Sequence, residues 1–95
     1  MEKLVLTIDD DKLTHLIIEE ALAGFCKLLH AKEGEEGLRL INEHNPDIIL
    51  LDIEMPGKSG YQVCQEIKQN ADTKDIPVMF LSSKEALIDR VKGYS

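Results

Sequence analysis

The chain has 95 residues, with 18 Asp and Glu against 11 Lys and Arg, a net charge of −7. That is enough for one small domain, and its acidity argues against direct binding to a nucleic-acid backbone. No stretch reaches the roughly 18 apolar residues of a membrane span, no basic and then apolar leader opens the chain, and the two cysteines, Cys26 and Cys64, form no CxxC pair. The default reading is a soluble, cytoplasmic domain whose cysteines act as small apolar side chains.

Leu4 to Ile8 is a short aliphatic run closed by Asp9, Asp10 and Asp11, which reads as a buried strand stopped by acids. Leu13 to Ala23 carries Leu13, Leu16, Ile17 and Ala21 at helical spacing, and Ile18 and Leu22 widen the stripe. So wide a stripe predicts a helix covered on more than one side, ended at Gly24. Asp11 is placed to cap it. Phe25 to Ala31 reads as a second strand. Glu35 to His44 reads as a helix with Leu38 and Ile41 inward, acids in its first turn and a stop at Asn45-Pro46.

Asp47 to Asp52 is the clearest strand, because its apolar run is continuous, as in a strand buried on both faces. Pro56 to Ser59 is a loop. Ser59 and Gln62 form a capping box for a helix with Gly60, Val63, Cys64 and Ile67 on one face. Asn70 to Asp75 is a polar loop, Pro77 to Leu81 a fourth strand, and Glu85 to Tyr94 a last helix. The alternation of strand and helix predicts an α/β domain with an open parallel sheet and helices on both faces. Aromatic residues make up only 4% of the chain and Trp is absent, so the core is aliphatic.

In such sheets ligands bind at the carboxyl ends of the strands. Here one strand ends in Asp9-Asp10, another in Asp52 and another in Ser82. Each has a plainer reading: acids stop strands, and Ser82, three residues before Glu85, fits a helix N-cap. Their coincidence at one sheet edge points elsewhere. Three carboxylates at one spot repel, and a hard divalent cation resolves the conflict. Oxygen donors without His or Cys at metal spacing favour magnesium over zinc. The residues by themselves thus suggest a magnesium-dependent phosphate site.

With these features in hand, the chain resembles the receiver domain of two-component response regulators over essentially its whole length. Leu4 to Asp11 resembles that family's opening strand and acidic pair. Asp52-Ile53-Glu54-Met55-Pro56-Gly57-Lys58-Ser59-Gly60 matches its most specific signature, D-x-x-M-P-x-x-x-G. Pro77 to Ser83 resembles its fourth strand and switch hydroxyl. The resemblance implies a flavodoxin-like receiver fold. It implies that Asp52 accepts a phosphoryl group from a sensor histidine kinase or a phosphotransfer protein. Asp9 and Asp10 would hold Mg2+ together with Asp52 and the backbone carbonyl of Glu54. Ser82 would act as the switch hydroxyl that changes the surface around the last helix. Glu54 and Lys84 would flank the phosphoryl group and, by pairing, slow its hydrolysis. Met55-Pro56 and Gly60 would shape the backbone. The module would be no enzyme beyond its own phosphotransfer and dephosphorylation.

The family's fifth strand and fifth helix, with a phosphate-contacting lysine, find no counterpart before Ser95, so the expectation is one receiver domain over 1–95, incomplete at its C-terminus. The alternative is a phosphorylation-incompetent fragment that serves as an interaction or dimerisation module, pairing or swapping with a second copy. A phosphatase with an aspartate nucleophile would show D-x-D-x-[TV], which Asp52 to Pro56 does not fit.

Overall fold

The computed structural model describes residues 2–81. The elements are β1 (Leu4–Ile8), α1 (Lys12–Leu22), β2 (Lys27–Ala31), α2 (Gly34–His44), β3 (Ile48–Asp52), α3 (Gly60–Gln69) and β4 (Val78–Leu81). The helix expected over 85–94 lies outside the described residues, as do Ser82 and Lys84.

The strands form one parallel sheet in the order β2-β1-β3-β4. β1 is followed by a step to one side, to β2. The chain then crosses back to β3 and continues outward to β4. Right-handed crossovers therefore put α1 on one face and α2 and α3 on the other. The reversal lies between β1 and β3, and the crevice at their carboxyl ends is where a ligand finds room.

The face under α2 and α3 holds the aliphatic core. Leu6 and Ile8 of β1, Ile49 and Leu51 of β3, and Ala31 of β2 meet Ile41, Met55, Val63 and Ile67. Alternation along a strand sends Val5 and Thr7 to the opposite face, where Thr14, His15 and Ile18 of α1 are also buried. Each fully buried Leu, Ile or Val contributes roughly 1.5–3 kcal/mol against the entropy of ordering the chain.

Local chemistry sets the element ends. Asp11 caps α1 by accepting from the Leu13 amide at 2.8 Å. Asn45 ends α2 in the left-handed conformation at φ 48°, its amide donating to the Ile41 carbonyl at 3.0 Å. The capping box of α3 forms in both directions: the Ser59 amide donates to Gln62 Oε1 at 2.9 Å and the Gln62 amide to Ser59 Oγ at 3.3 Å. In the loop before α3, Lys58 reaches Glu35 of α2 at 2.7 Å and Glu66 of α3 at 2.6 Å. These two carboxylates hold its amine above the ordinary 10.5.

One sequence expectation is corrected. β2 begins at Lys27, not Phe25. Gly24 takes φ +82° and the Phe25 amide donates back to the Leu22 carbonyl, so the chain is still turning out of α1, and Phe25 is 80% exposed. On α1 the buried residues are Thr14, His15 and Ile18, while Leu13 and Leu16 of the wide apolar stripe are 46% and 53% exposed. His15 reaches the end of β1, which a count of apolar residues does not detect.

Thr7 is fully buried in the middle of β1, and its Oγ1 is the one buried side-chain polar atom among the described residues without a hydrogen-bond partner. An orphaned buried hydroxyl costs on the order of 1–3 kcal/mol. Thr7→Val keeps the shape and removes the hydroxyl. It is expected to raise stability by about 1 kcal/mol, read as a higher urea midpoint at unchanged slope; a lower midpoint contradicts the assignment.

Candidate functional site

Parallel pairing of β1 with β3 sets Ile8 against Leu51, and pairing of β3 with β4 sets Asp52 against Leu81. The residues that follow these positions converge at one edge. Asp9, Asp10 and Asp52 each bring a carboxylate oxygen within 4.8 Å of the others. Asp9 is 2% and Asp52 7% exposed, while Asp10 faces solvent. Two of these side chains are thus taken from water next to a third of like charge, which is costly unless a positive charge joins them. The donor set is oxygen only, which fits a hard divalent cation.

Backbone hydrogen bonds hold the carboxylates. The Asp11 amide donates to Asp9 Oδ1 at 2.8 Å, and the Glu54 amide to Asp52 Oδ1 at 3.3 Å. The Asp9 amide donates to the Ala31 carbonyl at 3.0 Å, tying the end of β1 to the end of β2. Glu54 itself is exposed. Lys84, like Ser82, is outside the described residues.

The start of α3 closes one side of the site. The Gly60 amide donates to the Ile53 carbonyl at 2.9 Å, and a Cβ at Gly60 would collide with the Asp52 carbonyl oxygen. The glycine of the D-x-x-M-P-x-x-x-G signature therefore serves close approach of helix and strand end, as expected from the sequence. Met55 of the same signature is buried in the core, and Gly57 turns the loop at φ +78°.

A second polar group stands beside the carboxylates, and sequence reading passed over it. His15 Nε2 lies 2.8 Å from the Asp9 carbonyl oxygen. His15 Nδ1 lies 2.8 Å from His30 Nδ1, with the rings near perpendicular at 72°. His30 Nε2 lies 3.0 Å from Glu19 Oε1. The signal for it was present: His15, Ile18 and Leu22 follow one another at helical spacing, a stripe that starts with a polar residue.

The family model of the response regulator receiver domain matches residues 5–95. Protein PilG of Pseudomonas aeruginosa is 41% identical over 90 residues, 94% of this chain and 67% of that protein. The chain spans only 37% and 34% of two further curated relatives. Among solved structures, the N-terminal domain of a response regulator receiver protein from Methanoculleus marisnigri superposes with a TM-score of 0.80 at 30% identity. It is matched over 93% of this chain and 76% of that one. The manganese-bound form of response regulator Rcp1 superposes with a TM-score of 0.74 at 28% identity, over 95% of this chain and 74% of that one.

The close approach at Gly60 yields a test. Gly60→Ala must push α3 away from the end of β3. A loss of about 1–3 kcal/mol in denaturant unfolding is expected. Unchanged stability would mean that α3 does not sit this close.

Proposed function

The chain belongs to the response regulator receiver family, and from that premise we propose that it is a phospho-acceptor module in which Asp52 takes a phosphoryl group from a histidine kinase or phosphotransfer protein. Receiver domains are modules of two-component signalling, and this chain is one. The observation that carries the proposal is the convergence of Asp9, Asp10 and Asp52 at the reversal point of the sheet.

Asp9, Asp10, Asp52 and the Glu54 carbonyl would hold Mg2+, which when bound would neutralise charge on the phosphoryl oxygens in the transition state. Manganese, which the Rcp1 structure carries, prefers the same class of oxygen donor. The chain's own share is positional. The Glu54 amide orients the Asp52 carboxylate. A carboxylate oxygen of Asp52 attacks phosphorus, the O–P bond forms, and the P–N bond to the donor imidazole breaks with its electron pair staying on nitrogen. The deprotonated imidazole nitrogen is then protonated from solvent. Aspartyl phosphate is the product, later cleaved by water.

Ser82 is the proposed switch hydroxyl. Its neighbour Leu81 is the register partner of Asp52, which puts the end of β4 beside the acceptor. A hydroxyl drawn toward the new phosphoryl group would move the chain that follows and bias a two-state surface. Glu54 and Lys84, paired across the mouth, would hinder the hydrolytic water. Among the described residues no helix is long and apolar enough to cross a membrane.

Incubation with acetyl phosphate and Mg2+ followed by intact-mass measurement tests this reading. One phosphoryl adduct is expected on the wild type, none on Asp52→Asn, and none after chelation of the metal. Asp10→Asn is expected to slow the reaction at least about tenfold, or 1.4 kcal/mol of transition-state stabilisation. Absence of any adduct on the wild type would leave an interaction module in place of a phospho-acceptor.

A further inference from the structure

We propose that His15, oriented by His30 and Glu19, is a positioning residue that holds the Asp9–Asp10 peptide plane and thereby sets the metal affinity of the acidic site. The inference rests on the phospho-acceptor reading and adds to it three residues that the family signature does not contain.

The valences of the contacts give the direction of the relay. A backbone carbonyl can only accept. The 2.8 Å contact with the Asp9 oxygen therefore assigns the Nε2 hydrogen to His15. In that tautomer His15 Nδ1 is an acceptor, and the facing Nδ1 of His30 donates to it across 2.8 Å. The far nitrogen of His30 meets the Glu19 carboxylate at 3.0 Å; since a carboxylate only accepts, the complete relay needs a hydrogen on both nitrogens of His30, an imidazolium whose charge Glu19 balances. Glu19 of α1 thus orients His30 of β2, His30 orients His15, and His15 holds the last carbonyl of the β1 end. Metal-ligating groups elsewhere rely on such partners behind the ligands, and loss of one costs about 10–100-fold in affinity.

Why this carbonyl matters follows from the peptide plane. The Asp9 amide is anchored on Ala31 and the Asp9 side chain on the Asp11 amide. The Asp9 carbonyl belongs to the peptide that leads into Asp10, the exposed member of the cluster. Rotation of that plane swings Asp10 while Asp9 stays in place. His15 is buried, so its bond is not traded for one to water without loss. A metal site on the two imidazoles is the competing account. Two nitrogens bound to one zinc at 2.0–2.1 Å each in tetrahedral geometry stand farther apart than 2.8 Å, and a hydrogen bond fits that distance.

The experiment measures Mg2+ binding to the metal-free full chain by calorimetry, for the wild type and for His15→Leu, His15→Gln and His30→Leu. Gln retains an N–H donor at the reach of Nε2. His15→Leu is expected to weaken Mg2+ about tenfold, His15→Gln to restore most of the loss, and His30→Leu to weaken it about threefold. Nitrogen chemical shifts of the metal-free wild type are expected to show His15 as the Nε2–H tautomer. Equal affinity in wild type and His15→Leu overturns the proposal, as does equal weakness of Leu and Gln, or an Nδ1–H tautomer. If His15→Leu fails to fold, His30→Leu and the tautomer decide. A wild type that binds no Mg2+ sinks the acidic-site reading itself, an outcome distinct from all of these.

Discussion

The parallel pairing of β1 with β3 places Asp9 and Asp52 at adjacent strand ends, and the repulsion between them is the constraint around which the rest is arranged. Both side chains are nearly buried. Left alone, the pair would favour loosening of the strand ends, since like charges at close range in poorly hydrated surroundings oppose each other strongly. What counters this is a set of short-range restraints. Amides of Asp11 and Glu54 donate into the carboxylates, the Asp9 amide is tied to β2, and the start of α3 is locked to the Ile53 carbonyl. The restraints keep the acids together at the strand ends.

The two faces of the sheet divide the labour. Under α2 and α3 the packing is aliphatic, and that face carries most of the cohesion visible among the described residues. Under α1 the buried positions include Thr7, Thr14 and His15. That face buries polar side chains, and among the described residues Thr7 Oγ1 has no hydrogen-bond partner. In return it supplies directed hydrogen bonds to the strand end where the acids sit. A Leu or Ile in place of His15 would leave the Asp9 carbonyl without this donor.

Much of this was legible in the residues. The continuous run Ile48 to Leu51 with Asp52 at its end announces a buried strand and the acid that closes it. Asp11, Asn45 and the Ser59–Gln62 box act through neighbours in the chain, so their roles follow from local sequence. Gly60 was readable as a close-approach glycine because a motif placed it, and its partner, the Asp52 carbonyl, emerges only when helix and strand are docked. The start of β2 was misread at Phe25, since an apolar residue just after a glycine turn fits a strand equally well on paper. On α1 the apolar stripe is wide enough that periodicity does not say which of its residues lie against the sheet; Ile18 does, beside Thr14 and His15.

The alternation of strands and helices, the acids at the strand ends and the family signature around Asp52 are written in the residues, because they depend on residue type and short-range spacing. Which strand lies beside which, how close the three carboxylates come and where α1 turns its polar residues follow from the packed fold alone. Those outcomes depend on contacts between residues far apart in the chain. His15 and His30 are 15 positions apart on different elements, and no local pattern links them to each other or to Asp9.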